Sequence, residues 1–168
     1  MRQPISLIIL DVDGVLTDGA LPLASGGEAF KAFCVRDGSA IQRWRAAGGR
    51  VAILSGRTSA AVRARAAELG IDAVVEGAAD KRAALAELWR RLGEPPGATC
   101  YLGDDLPDAD AMSRCGLSFA VADAHATVKR IATGVTRLGG GRGAVGEVID
   151  NLMRRGVGPR SAAERVQA

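Results

Sequence analysis

Asp11 and Asp13 follow directly on an unbroken apolar run, Leu7 to Leu10, which Val12 continues. A run of aliphatic and β-branched residues without polar alternation is expected of a strand covered on both faces. Such a strand delivers the two acids to the carboxyl edge of a parallel sheet, where open α/β folds place their ligands. Two carboxylates this close repel unless a cation or a shared proton relieves them, and oxygen-rich sites of this kind take hard ions such as magnesium. Asp11 and Asp13 are therefore expected to hold a metal. Gly103-Asp104-Asp105-Leu106-Pro107-Asp108 forms a second acidic cluster after another strand-like run, and Asp104 is expected beside the first pair. Ser55-Gly56-Arg57 offers a hydroxyl, backbone amides and a guanidinium to a phosphate at the start of a helix, and Lys81 opens the next helix. Carboxylates with a divalent ion on one side, and Ser55, Lys81 and Arg57 on the other, describe a phosphoryl-transfer site.

The elements that must position these groups alternate along the chain. Strand-like runs recur at 50–54, 73–75, 99–102, 118–121 and 134–136, and helical patterns lie at 39–47, 59–69, 81–92, 108–115, 126–131 and 144–155. The alternation predicts an α/β fold, a Rossmann-like doubly wound parallel sheet over residues 5–155, followed by a flexible C-terminal tail, 156–168. One segment breaks the pattern. Residues 20–35 hold two extended stretches around Ser25-Gly26-Gly27, read as a β-hairpin flap standing over the strand ends. The interval from Asp11 to Ser55 has room for that hairpin and one helix, and the interval from Lys81 to Asp104 for less. Neither holds a cap domain.

In this order the motifs resemble those of the haloacid dehalogenase superfamily of phosphohydrolases, from Leu7 to about Asp150. Within it, Asp11-Val12-Asp13-Gly14-Val15-Leu16-Thr17-Asp18-Gly19, Phe33-Cys34-Val35-Arg36-Asp37-Gly38, Leu54-Ser55-Gly56-Arg57, Gly103-Asp104-Asp105 and Gly139-Gly140-Gly141-Arg142-Gly143 are similar to the capless 3-deoxy-D-manno-octulosonate 8-phosphate phosphatases. The resemblance implies a magnesium-dependent homotetramer with shared active sites. It implies that Asp11 attacks phosphorus and binds the metal, that Asp13 protonates the leaving oxygen and later activates water, and that Asp104 completes the metal site. Ser55 and Lys81 would hold phosphoryl oxygens. Cys34, Val35, Arg36, Asp37, Gly38, Gly56, Arg57 and Arg65, with Asp13 and Lys81, would contact a sugar-acid phosphate, some of them across a subunit boundary. Cys34, Gln42 and Glu76 depart from residues frequent in that family and bear on the exact sugar. Similarity to other capless phosphatases makes a nine-carbon sialic-acid-type 9-phosphate the alternative substrate, and a non-catalytic phosphate-binding homologue is the separate alternative function.

Other residues have plainer readings. The 22 basic residues against 19 acidic ones form no run resembling a nucleic-acid arm, and no apolar run reaches membrane-spanning length, so neither partner is expected and the cytoplasm is the expected compartment. Cys34, Cys100 and Cys115 are odd in number and widely spaced, which suggests packing instead of disulfides or zinc. Asp18 and Asp37 precede glycines, where Asp commonly satisfies its own backbone, though ligand contact is open for Asp37. Asp105 and Asp108 either tune the metal or cap the following helix. His125 is expected to be structural, and Trp44 and Trp89 to pack. The Gly139–Gly143 loop, with Arg142 inside it, either cradles an anion through its amides, the reading favoured here, or permits a tight turn before the last helix.

Overall fold

Every residue of β1 (Leu7–Leu10) is apolar and every one is buried, the burial of a strand covered on both faces. The computed structural model describes residues 3–159. Within them β1 pairs in parallel with β4 (Arg50–Leu54) and with β6 (Thr99–Gly103). Outward from these lie β5 (Ala73–Val75) on one side, and β7 (Leu117–Ala120) then β8 (Gly134–Val135) on the other, all parallel. The six-stranded order is β5-β4-β1-β6-β7-β8. Chain order runs outward one way from β1 and the other way from β6, so the crevice between these two is the topological switch point.

The helices are α1 (Val35–Ala46), α2 (Ala60–Leu69), α3 (Lys81–Leu92), α4 (Ala109–Met112), α5 (Ala126–Ile131) and α6 (Ala144–Arg154). α1 packs against both α2 and α6, and α3 packs against α4, which are the two faces that right-handed crossovers require. Trp44 is wholly buried and donates from Nε1 to Arg50 O at 3.1 Å; Trp89 donates to Thr99 Oγ1 at 2.9 Å. Both anchor helices to the sheet, as expected of packing residues. The three cysteines are free.

Two boundaries differ from the expected ones for identifiable reasons. α1 begins at Val35, four residues before the expected start, because Asp37 and Gly38, poor helix formers, are held by tertiary contacts. Asp37 is buried and accepts from Gly146 N of α6 at 2.8 Å, and Gly38 leaves the space that the Arg65 guanidinium fills. The helix expected over 108–115 is broken into a tight turn, Leu106–Asp108, and the short α4, because Asp108 is drawn inward. The flap is present, but its strands, β2 (Leu23–Ala24) and β3 (Gly27–Glu28), are only two residues each and exposed. Val157 is bonded to Ile5 N through its carbonyl, while most of the expected tail, 160–168, lies outside the described residues.

The glycine loop has a role other than the expected anion cradle. Gly140 N donates to Asp123 Oδ1 at 3.0 Å, Gly141 N to Val15 O at 2.9 Å and Arg142 N to Gly139 O at 3.2 Å, so these amides are engaged inside the protein. The loop instead buttresses the turn after β1. A Cβ on Gly140 would stand 1.8 Å from Gly14 O, so Gly140→Ala forces two backbone segments apart. It is expected to lower unfolding free energy by about 1–3 kcal/mol in urea titrations. Gly26→Ala, with open space around it, is expected to change stability by less than about 0.5 kcal/mol.

Candidate active site

After Leu10 the chain makes one wide turn, Val12–Leu16, closed by Thr17 N to Val12 O at 3.0 Å and irregular at Asp13 and Gly14. Gly14 has φ of 90°, and a Cβ there would lie 2.0 Å from Asp104 Oδ2. Glycine is thus required twice at this position, by the backbone conformation and by the close approach of Asp104. This contact joins the turn after β1 to the end of β6 across the switch point. The chain after β4 adds Ser55, and α3 adds Lys81 at its first residue, behind the Asp80 cap whose carboxylate accepts from Arg82 N and Ala83 N.

The resulting pocket, about 310 Å³, is lined by Asp11, Asp13, Ser55, Gly56, Arg57 and Lys81, with Asp104, Asp105 and Asp108. Larger depressions of about 840, 860 and 440 Å³ lie elsewhere, by Ile5, Phe119 and Val157, between α1 and α6, and by Gln42, Arg45 and Gly70. None of the three gathers convergent catalytic groups, so chemistry, and not size, identifies the site. Lys81 Nζ lies 2.8 Å from Asp11 Oδ1 and 2.7 Å from Asp108 Oδ1, and all three side chains are at most 10% exposed. An ammonium has three donors, so one is left for a ligand in the pocket. Ser55 Oγ accepts from Arg57 N at 3.2 Å, which orients the hydroxyl and leaves its own proton to donate.

Asp108 is the hub of the cluster, and its four acceptor positions are filled. Oδ1 accepts from Lys81 and from Tyr101 OH at 2.8 Å; Oδ2 accepts from Asp104 N at 3.1 Å and Asp105 N at 3.3 Å. It therefore holds other groups in place and does not cap α4. Asp105 caps the turn that follows it, accepting from Leu106 N at 2.8 Å. His125 caps α5 by accepting from Thr127 N at Nδ1, as a structural residue should, and its backbone N–H donates to Asp104 O at 2.7 Å. Asp18 accepts from Ala20 N, the expected satisfied turn.

Carboxylate oxygens of Asp11, Asp104 and Asp108 lie within 4.8 Å of one another, and Asp104 Oδ1 is buried with no hydrogen-bond partner among the described residues. Five aspartates against Lys81 and Arg57 leave the lining strongly negative, which would repel an anionic ligand. With Asp108 saturated, Asp11 and Asp104 fit a hard divalent cation. The Asp13 carboxylate, expected among the metal ligands, is instead engaged by Lys31 Nζ, with Arg57 Nε 4.0 Å from its Oδ2.

The second group of expected contacts lies apart from this pocket. Cys34 precedes α1, and Val35 is 76% exposed on its first turn. Arg36 donates to Arg142 O, and Asp37 is buried against α6. Arg65 stacks over Phe33 at 5.9 Å, lies against Gly38 and bonds Glu68 at 2.8 Å. Sequence reasoning missed Tyr101, Lys31 and Glu28. A tyrosine inside a buried strand needs a partner for its hydroxyl, which is the signal that pointed to Asp108; the flap residues carried no comparable signal.

Burial, reinforced by Asp108, pushes the Asp11 carboxyl up to about 6; burial, reinforced by Asp11 and Asp108, pushes Asp104 up to about 8. In the unfolded chain both titrate near 3.8. The folded protein therefore retains protons that the unfolded chain has released, and metal-free stability falls as pH rises from about 4 through about 8. A cation binds the deprotonated pair and acts in the opposite sense. Melting in EDTA is expected to occur at lower temperature at pH 8 than at pH 5, with magnesium raising it more at pH 8. Asp104→Asn should remove most of both effects; equal magnesium stabilisation at the two pH values would contradict the assignment.

Residues 27–116 match the model of the haloacid dehalogenase-like hydrolases. The chain is 46% identical to the 3-deoxy-D-manno-octulosonate 8-phosphate phosphatase KdsC of Escherichia coli K12 over 151 residues, 90% of this chain and 80% of that one. The cobalt-bound deoxy-D-mannose-octulosonate 8-phosphate phosphatase of Haemophilus influenzae superposes with a TM-score of 0.88 at 44% identity, covering 90% of this chain and 88% of the other. The Moraxella catarrhalis 3-deoxy-D-manno-octulosonate 8-phosphate phosphatase, solved with magnesium, phosphate and KDO, gives 0.86 at 39% identity over 89% and 86%. With its switch-point carboxylates, Ser55 and Lys81 in that order, the chain belongs to the haloacid dehalogenase-like hydrolases.

Proposed function

We propose that this protein is a magnesium-dependent phosphomonoesterase that converts 3-deoxy-D-manno-octulosonate 8-phosphate to the free sugar acid and inorganic phosphate. The observation that carries the reading is the buried Asp11–Lys81–Asp108 array beside Asp104, at the switch point of a chain 46% identical to a phosphatase of that ester. Asp11 attacks phosphorus in line, the bond from phosphorus to the sugar oxygen breaks, and Asp13 gives its proton to that oxygen as the sugar leaves. Water, deprotonated by Asp13, then attacks the aspartyl phosphate, releasing inorganic phosphate and restoring Asp11. Lys81 fixes Asp11 and, with Ser55, binds phosphoryl oxygens. Magnesium, held by Asp11 and Asp104, supplies positive charge that lets an anionic nucleophile approach an anionic phosphate.

The flap and the short intervals between motifs leave no cap domain, so closure and the sugar-acid contacts come from elsewhere. We place these contacts at Cys34–Gly38 and Arg65, acting across the boundary of a homotetramer with shared active sites. None of them is among the residues lining the pocket of their own chain, and Val35 is exposed, which supports this. Among the described residues no helix is long and apolar enough to cross a membrane, and we assign the enzyme to the cytoplasm.

Phosphate release from the eight-carbon ester with magnesium tests the reading. Asp11→Asn is expected to lower kcat by at least about 10³-fold, and EDTA to abolish turnover. A higher kcat/KM for a nine-carbon 9-phosphate would overturn the substrate assignment alone. Arg65→Ala is expected to raise KM about 10- to 100-fold with little change in kcat, as loss of one charge-assisted contact to the substrate carboxylate should.

A further inference from the structure

We propose that Lys31, carried by the hairpin flap, is a positioning residue for Asp13. The proposal deepens the phosphatase reading and rests on it. Lys31 follows the two-residue, exposed strand β3, yet its side chain is only 1% exposed. Its ammonium bonds Asp13 Oδ1 and lies 3.0 Å from Glu28 Oε2. Glu28 in turn accepts from the hydroxyl of Ser59, the residue that caps α2 through its own bond from Val62 N. A chain of polar contacts thus runs from α2 through both flap residues to the side chain that handles the proton.

The geometry assigns a different duty to each oxygen of Asp13. Oδ1 is held by Lys31, while Oδ2, on a residue that lines the pocket, has Arg57 Nε at 4.0 Å. Holding one oxygen fixes the side-chain torsions and presents the other to the leaving group. Proton transfer is sensitive to such placement, because donor and acceptor must approach to hydrogen-bond distance in the transition state. The structural alternative, that Lys31 merely pins the flap, differs in what it disturbs. Loss of a pin affects every substrate alike, whereas misplacement of the proton donor affects only leaving groups that need the proton.

A sugar alkoxide is a poor leaving group unless protonated as the bond to phosphorus breaks. A p-nitrophenolate departs as a stabilised anion and needs no donor. The experiment measures kcat/KM, which reports the steps up to departure of the alcohol, for the sugar-acid phosphate and for p-nitrophenyl phosphate in wild type, Lys31→Met and Glu28→Gln. For Lys31→Met, kcat/KM for the sugar ester is expected to fall at least about 10-fold and for the aryl ester less than about 3-fold. Glu28→Gln, a change on the exposed flap that does not threaten the core, is expected to lower the ratio of sugar ester to aryl ester in the same direction by a smaller factor. It decides the matter if Lys31→Met fails to fold. A ratio unchanged from wild type in the folded variants would overturn the proposal. Wild-type protein that hydrolyses neither ester would sink the phosphatase reading together with this one, whereas hydrolysis of both with an unmoved ratio defeats the role of Lys31 alone.

Discussion

A lysine ammonium buried between two aspartates is the constraint on which the rest of this site depends. Taking three charged groups out of water costs several kcal/mol for each ion, and the cost is recovered only where geometry is good and the remaining lone pairs are filled. Here they are filled: Asp108 receives four donors from Lys81, Tyr101 and two backbone amides. The arrangement is rigid because each member is required to satisfy another. Removing one partner would strand a buried charge at a cost of about 3–5 kcal/mol. The same array leaves more carboxylates than cations around the pocket, with the buried Asp104 Oδ1 lacking a hydrogen-bond partner among the described residues. A divalent cation meets that excess, and with it an anionic substrate can enter a pocket that would otherwise exclude it.

The sheet makes this array possible by bringing together stretches far apart in sequence. β1 and β6 are neighbours, so Asp11 and Asp104 leave adjacent strand ends in register, Leu10 opposite Leu102. Two close approaches then lock the turn after β1, Asp104 against Gly14 on one side and Gly140 against Gly14 and Thr17 on the other. Asp11, the proposed nucleophile, leaves β1 into this packed turn, and Asp13, the proposed proton donor, is bonded from the flap by Lys31.

The central strand, the alternation and the phosphate-site order were legible in the residues because each rests on local chemistry. An unbroken apolar run can be buried on both faces only inside a parallel sheet, and acids at its end need a counter-charge. Helices 60–69 and 81–92 were legible from their propensity and from Gly70 and Gly93 beyond them. What the residues concealed was tertiary. The start of α1 depends on Asp37 meeting α6, more than one hundred positions away. The hub role of Asp108 depends on Tyr101 and Lys81 converging on it, and the engagement of Asp13 depends on where a two-residue hairpin folds back. The glycine loop stayed open between two readings for a related reason: glycine permits an anion cradle and a tight backbone turn equally, and only the neighbours decide which.

The central claim is that the Asp11 carboxylate takes the phosphoryl group. Enzyme quenched in acid during turnover of the sugar-acid phosphate, reduced with borohydride and digested, gives a direct reading, since an acyl phosphate is reduced to the alcohol while a free carboxylate is untouched. The account predicts conversion of the aspartate at position 11, and of no other, to homoserine. Modification at a different carboxylate, or none despite sustained phosphate release, would contradict it.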